Sequence, residues 1–200
     1  MNTAVVMLAA GQSQRFGGSK QLAQFRGQPM ICHGLANLPP GLQHYYVVLG
    51  ANWQPIEEVV KGYDEFRHIR ICVAEDWEKG LAHSLRFALS QLSPEVERVM
   101  ICLADQVALG PEDYMRLLCC ADEHPGAMTA AYYQHSLGVP AIFCRTQFSQ
   151  LMQLQGDKGA RALLQGSAEL VQPVAMPAAA IDIDTQQDLI IHQDKGERHD

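Results

Sequence analysis

Strand-length apolar runs alternate with segments of helical spacing along almost the whole chain, and this alternation constrains the fold more than any other feature. The runs are "TAVVML" (3–8), "YYVVLG" (45–50), "IRICVA" (69–74), "RVMICLAD" (98–105), "MTAAYY" (128–133) and "PAIFC" (140–144). Continuous apolar runs this short fit strands buried on both faces. Between them, "PMICHGLANL" (29–38) carries Pro29 where a first helical turn accepts it. Ile56, Val59, Val60 and Tyr63 recur at helical spacing, and Leu81, Leu85, Ala88, Leu89 and Leu92 form one stripe. "PEDYMRLLCCADEH" (111–124) opens with Pro and acids, as helix starts do, and "TQQDLIIHQ" (185–193) supplies a last helix. The alternation predicts an α/β fold with a mostly parallel sheet and helices on both faces. Ligands of such sheets sit beyond the carboxyl ends of the strands. The informative residues should therefore lie just after the strands.

A length of 200 residues suits one domain, expected over residues 1–193, with 194–200 as a polar C-terminal tail. "PVAMPAAA" (173–180) reads as an irregular crossing before the last helix. The formal net charge of -7 argues against nucleic acid as a partner, although a few well-placed cations still serve a small anionic ligand. No apolar run approaches the about 20 residues that span a bilayer, and no basic leader precedes the first strand, so a cytoplasmic protein without a membrane partner is expected. The six cysteines form no C-x-x-C and fit buried free thiols. The eight histidines form no metal or catalytic pattern.

Chemistry concentrates in "MLAAGQSQRFGGSKQL" (7–22), directly after the first strand. It is neither a Walker A loop nor a dinucleotide fingerprint, since its glycines have the wrong spacing for both. Small residues let the backbone approach a ligand, and free N–H groups can donate to phosphate oxygens. Arg15 offers a fork for two oxygens and Lys20 a compact charge. On composition alone two readings stand: a phosphate cradle, and a glycine-rich turn with solvated cations. Asp105 ends a buried strand, where an unpaired carboxylate is costly. Holding Mg²⁺ or capping the next helix would each explain it. In "AIDIDTQQDL" (180–189), Asp182 and Asp184 point the same way if the piece is extended, and Asp184 or Thr185 also suits a helix cap.

"LAAGQSQRFGGSKQL" resembles the L-A-A-G-x-x-x-R-F-G-x-x-K signature of the MobA-like nucleotidyltransferases, which move a nucleotidyl group from an NTP to a phosphorylated acceptor. The resemblance extends from residue 7 to 189. It implies a Rossmann-like three-layer α/β/α fold of the nucleotide-diphospho-sugar transferase type. It places Leu8, Ala9, Ala10, Gly11, Gln12, Ser13, Arg15 and Lys20 at the nucleotide. "GLAHSLRFAL" resembles the family's G-x-x-x-S-L segment and adds Gly80 and Ser84. Asp105 and Asp184 are implied as Mg²⁺ ligands, with Asp182 a weaker candidate, and Arg15, Lys20 and Asp105 as the catalytic set. Ala10 tilts the resemblance from the guanylyl branch, which usually begins L-A-G-G, to the cytidylyl branch and hence to CTP. "LQGDKGARALL" resembles that branch's G-D-x-G-A-R segment and implies Asp157, Lys158 and Arg161 as acceptor-binding residues. The implied acceptor is molybdopterin or its metal-loaded form, with a molybdoenzyme or its chaperone as an eventual partner. A sugar phosphate as acceptor, GTP as donor, and a non-catalytic nucleotide carrier are the alternatives. Two departures stand out: Val107 replaces the family's proline after the aspartate, and Val139 stands where many relatives carry His.

Overall fold

The computed structural model describes residues 1–193; the expected tail at 194–200 lies outside them. The strands are β1 (Thr3–Ala9), β2 (Gln24–Phe25), β3 (Gln28–Pro29), β4 (His44–Leu49), β5 (Ile69–Val73), β6 (Arg98–Leu103), β7 (Met128–Tyr133), β8 (Ser136–Cys144) and β9 (Val171–Ala175). The helices are α1 (Met30–Ala36), α2 (Trp53–Lys61), α3 (Leu81–Ser90), α4 (Pro111–Glu123), α5 (Phe148–Leu151), α6 (Ala160–Gly166) and α7 (Gln186–Gln193). β2 and β3 form a separate short hairpin, and the other seven strands form one sheet in the order β5-β4-β1-β6-β8-β7-β9. Four of its pairings are parallel; β8 runs antiparallel to β6 and β7.

β1 lies inside the sheet, between β4 and β6, and all seven of its residues are buried. Its side chains alternate between two cores, as the pleat requires. Val5, Met7 and Ala9 join the core that also holds residues of α1, α2 and α4. Ala4, Val6 and Leu8 join the one holding residues of α3, α5 and α6. The expected three layers are therefore present. In α3 the buried face is Ala82, Ser84, Leu85, Ala88 and Leu89, whereas Leu81 is exposed and stands at the helix start.

"PVAMPAAA" is not wholly irregular. Residues 171–175 form β9, parallel to β7 at the sheet edge, and only Pro177–Ala180 forms a 3-10 turn. Pro173 donates nothing to a ladder, so it fits an edge strand. Pro29 precedes α1 instead of entering it, pairing with Gln24 in the β2–β3 hairpin. Cys32, Cys72, Cys102 and Cys144 are buried, but Cys119 is exposed and Cys120 partly so; all six are free thiols. Burial pushes the Cys102 thiol up to about 12, which keeps it neutral and inert. Among the described residues no helix is long and apolar enough to cross a membrane.

Candidate active site

The loop after β1 is shaped by its own backbone and by one buried side chain. Ser13 (φ 57) and Gly17 (φ 74) adopt left-handed conformations on either side of a 3-10 turn at Gln14–Phe16. Gln21, 5% exposed, donates through Nε2 to the carbonyls of Ala9 (3.0 Å) and Gly11 (3.1 Å). This brace holds the loop against the end of β1. The sequence reading passed over Gln21, whose only signal was a polar residue inside an otherwise functional stretch.

Three distant pieces of chain meet beside this loop. Phe16, Phe25, Met30, Val107 and Ile183 pack as one small apolar cluster. Its members neighbour the charged residues in sequence: Phe16 follows Arg15, Val107 lies two past Asp105, and Ile183 precedes Asp184. The carbonyl of Asp105 accepts hydrogen bonds from the N–H groups of Val107 (2.9 Å) and Ile183 (3.1 Å), tying the two aspartate segments together. Val107, 3% exposed, thus supplies an apolar contact to the cluster at the position where the family resemblance led one to expect proline.

The charged groups converge as a result. Lys20 Nζ lies 2.8 Å from Asp105 Oδ2 and 3.3 Å from Asp184 Oδ1, and Arg15 reaches Asp184 Oδ2 at 3.0 Å. Neither aspartate caps a helix with its side chain. Asp105 lies well upstream of α4, which starts at Pro111. Thr185 caps α7: its hydroxyl accepts from the N–H of Asp188 (3.2 Å), and Asp188 accepts from the Thr185 N–H (2.8 Å) and hydroxyl (2.7 Å). Asp184 is left free to face the loop.

These groups line a cleft of about 570 Å³ at the carboxyl ends of β1 and β6. The cleft takes in every residue expected at the nucleotide: the loop from Leu8 to Ser13, Arg15, Lys20, Gly80 and Ser84. Asp105, Asp157 and Asp184 line it too. Trp77 and Glu78 also line it, and sequence reasoning missed both. They lie in the loop after β5, so the carboxyl-end rule pointed to them.

Gly80 has φ 95 and ψ 175, backbone that essentially only glycine adopts. A Cβ there would stand 2.6 Å from the Gly156 carbonyl oxygen. The 156–159 loop therefore rests directly on the start of α3, and the N–H of Ala82 donates to the Gly156 carbonyl (3.0 Å). Asp157 lines both this cleft and a second cavity of about 330 Å³. That second cavity also holds Arg161, Asp182, Tyr133, Gln106 and Val139. Asp182 and Asp184 therefore line neighbouring cavities instead of one. Burial, then the nearby Asp105 and Asp184 charges, hold the Asp182 carboxyl above the usual carboxylate range. Arg161 is exposed at the rim and donates to Ser136 Oγ (3.1 Å). Lys158 is exposed and lines neither cavity. Gln106, 6% exposed, donates to the carbonyls of Val139 and Ala179, both at 2.9 Å, and so anchors the cavity wall.

Fit to a divalent cation follows from the donor set. Asp105 Oδ1 is buried without a hydrogen-bond partner, and Asp105 and Asp184 present hard oxygen donors. Among the described residues no group of three or more His, Cys, Asp or Glu side chains can hold a metal unaided. Two carboxylates completed by substrate phosphates match the habit of Mg²⁺, which keeps few protein ligands.

A mostly parallel α/β/α sheet with a cationic loop after its first strand and facing aspartates defines a nucleotide-binding transferase. The chain belongs to the MobA-like NTP transferase domain family, whose model matches residues 5–174, and it is a nucleotidyltransferase. It is similar to the crystal structure of an Rv0371c homologue from Mycobacterium sp. strain JC1, with 25% identity, 100% of this chain and 98% of that chain covered, and a TM-score of 0.85. Rv0371c of Mycobacterium tuberculosis H37Rv shares 27% identity over 97% of this chain and 98% of its own, with a TM-score of 0.81. Another structure of the M. tuberculosis protein, at 25% identity over 97% and 99% of the two chains and a TM-score of 0.78, is a complex with manganese. No curated protein matches the chain by sequence.

Proposed function

We propose that this nucleotidyltransferase moves CMP from CTP to the phosphate of a small-molecule acceptor, molybdopterin or its metal-loaded form, and releases pyrophosphate. The observation that carries the reading is the meeting of Arg15, Lys20, Asp105 and Asp184 at the mouths of β1 and β6. Ala10 and the "GDKGAR" segment support the choice of base and acceptor. The manganese bound by the M. tuberculosis relative supports a divalent cation.

In this reading the loop at 8–13 and Gly80–Ser84 enclose CTP, with backbone N–H groups directed at its phosphates. An acceptor phosphate oxygen attacks the α-phosphorus. A new P–O–P bond forms as the bond to the β-phosphate oxygen breaks, and pyrophosphate leaves in line. The nucleophile is already anionic near neutral pH, so no side chain needs to remove a proton. Arg15 and Lys20 offset charge on the triphosphate and on the leaving pyrophosphate. Asp105 and Asp184 would hold Mg²⁺, which supplies further neutralisation of phosphate oxygens. The second cavity, with Arg161 at its rim, seats the acceptor, and Asp157 lies where the two ligands meet. Incubation with each of the four NTPs, Mg²⁺ and molybdopterin tests the assignment. Pyrophosphate release is expected with CTP; release with GTP alone would overturn the choice of base.

A further inference from the structure

Lys20 stands where two of its own proposed partners would have to meet. Its side chain is 12% exposed, and its ammonium bridges Asp105 (22% exposed) and Asp184 (32%) at 2.8 and 3.3 Å. Arg15 takes the remaining oxygen of Asp184 at 3.0 Å. The two cations intended for phosphates are therefore spent on the two carboxylates intended for the metal. Two positive and two negative charges form a neutral knot. Asp105 Oδ1 is the one carboxylate oxygen of the pair that is buried without a partner.

Neither substrate alone has much to gain from this knot. A divalent cation arriving by itself meets carboxylates already neutralised, and must displace a nearly buried ammonium from both of its carboxylate partners at once. A triphosphate arriving by itself meets cations already paired, and would leave Asp105 and Asp184 bare beside its own negative charge. Arriving together, the two exchange partners: the metal takes the carboxylates and the freed Lys20 and Arg15 take the phosphates. Every charge is then paired again, in a cleft partly shielded from water where unpaired charge is costly.

We infer that Lys20 is a placeholder cation that blocks the carboxylate pair in the free protein, so that metal and nucleotide load by exchange and each promotes the binding of the other. Lys20 thus has a role on the carboxylates distinct from its role on the phosphates. This inference rests on the proposed metal site at Asp105 and Asp184. Favourable coupling between two ligands is by necessity reciprocal, and typical couplings change affinity by roughly 5- to 150-fold.

The test is direct binding of Mn²⁺ to the purified protein without nucleotide, followed by the electron paramagnetic resonance of free Mn²⁺. Three proteins are compared: wild type, Lys20→Met and Asp105→Asn. Lys20→Met keeps the length of the side chain and removes its charge; Lys20→Gln replaces it if the Met variant does not fold. Lys20→Met should bind Mn²⁺ at least about fivefold more tightly than wild type, at the low end of that coupling range. Its affinity for a non-hydrolysable CTP analogue in the presence of Mn²⁺ should fall. Asp105→Asn should lose the site. Unchanged or weaker Mn²⁺ binding by Lys20→Met, with binding lost in Asp105→Asn, would overturn the placeholder role and leave the metal site standing. Full Mn²⁺ binding by Asp105→Asn would overturn the metal site itself, and the inference with it.

Discussion

Replacing Ile183 by alanine should cost stability and catalysis together, whereas the same substitution at Ile56 should cost stability alone. Both side chains are fully buried. Each substitution removes three carbons, worth about 0.8 kcal/mol apiece in transfer from water. The cavity left behind brings the loss to about 3 kcal/mol, within the range for buried Ile→Ala changes. In a chain of this size that corresponds to a fall in melting temperature of roughly 6–12 °C. The consequences differ because the neighbours differ. Ile56 packs from α2 into the large core shared with α1 and α4, far along the chain from any charged site residue. Ile183 packs against Phe16, Phe25, Met30 and Val107, the cluster that holds the Arg15, Asp105 and Asp184 segments in register. Its backbone is bonded to Asp105 and its next residue is Asp184. A shift of about 1 Å in reacting groups can lower a rate about 100-fold. Urea melts give the stability of each variant, and pyrophosphate release in the proposed reaction of CTP with molybdopterin, measured well below both melting points, gives kcat/KM. Ile183→Ala should lose about two orders of magnitude in kcat/KM while Ile56→Ala stays within a few-fold of wild type. Equal activity in the two variants would refute the claim that this cluster sets the site.

Gly80→Ala should destabilise by about 1–3 kcal/mol through backbone strain alone. It should also displace the 156–159 loop that rests 2.6 Å from the new Cβ, weakening CTP-analogue binding by calorimetry; unchanged binding would show that this contact does not shape the cleft. Acid should loosen the segment after Asp105 through His33, which is buried and donates from Nε2 to the Val107 carbonyl (3.0 Å). Burial holds its pKa below the ordinary His value, so the unfolded chain binds the proton first. Stability from this residue is therefore present above about pH 6.5 and is lost as pH falls from there toward the lowered folded value. His33→Gln should flatten that part of a stability-versus-pH curve, and an unchanged slope would count against the assignment.

Much of the molecule follows from neighbours in the chain. Short apolar runs in alternation with amphipathic segments specified six strands and the main helices, because burial on two faces or on one stripe is written in local periodicity. The loop chemistry was equally local: small residues, Arg15 and Lys20 lie within a few positions of one another. β9 escaped because "VQPVA", with a proline and no clear alternation, is a strand only where the edge of β7 stands ready to pair with it. Gln21 and Gln106 escaped because their importance lies in backbone carbonyls far from them in sequence or hidden by the fold. Asp182 was grouped with Asp184 by its spacing, yet the tertiary structure assigns the two to adjoining cavities.

The sequence by itself determined which residues carry charge and at which strand ends they emerge. Only the tertiary structure decided that Lys20, Asp105 and Asp184 meet, that Val107 and Ile183 bind their segments together, and that the cations rest on the carboxylates. Hydrophobic pattern is set by residues a few positions apart, whereas a charge's partner is set by packing between segments that the chain brings together only when the core closes.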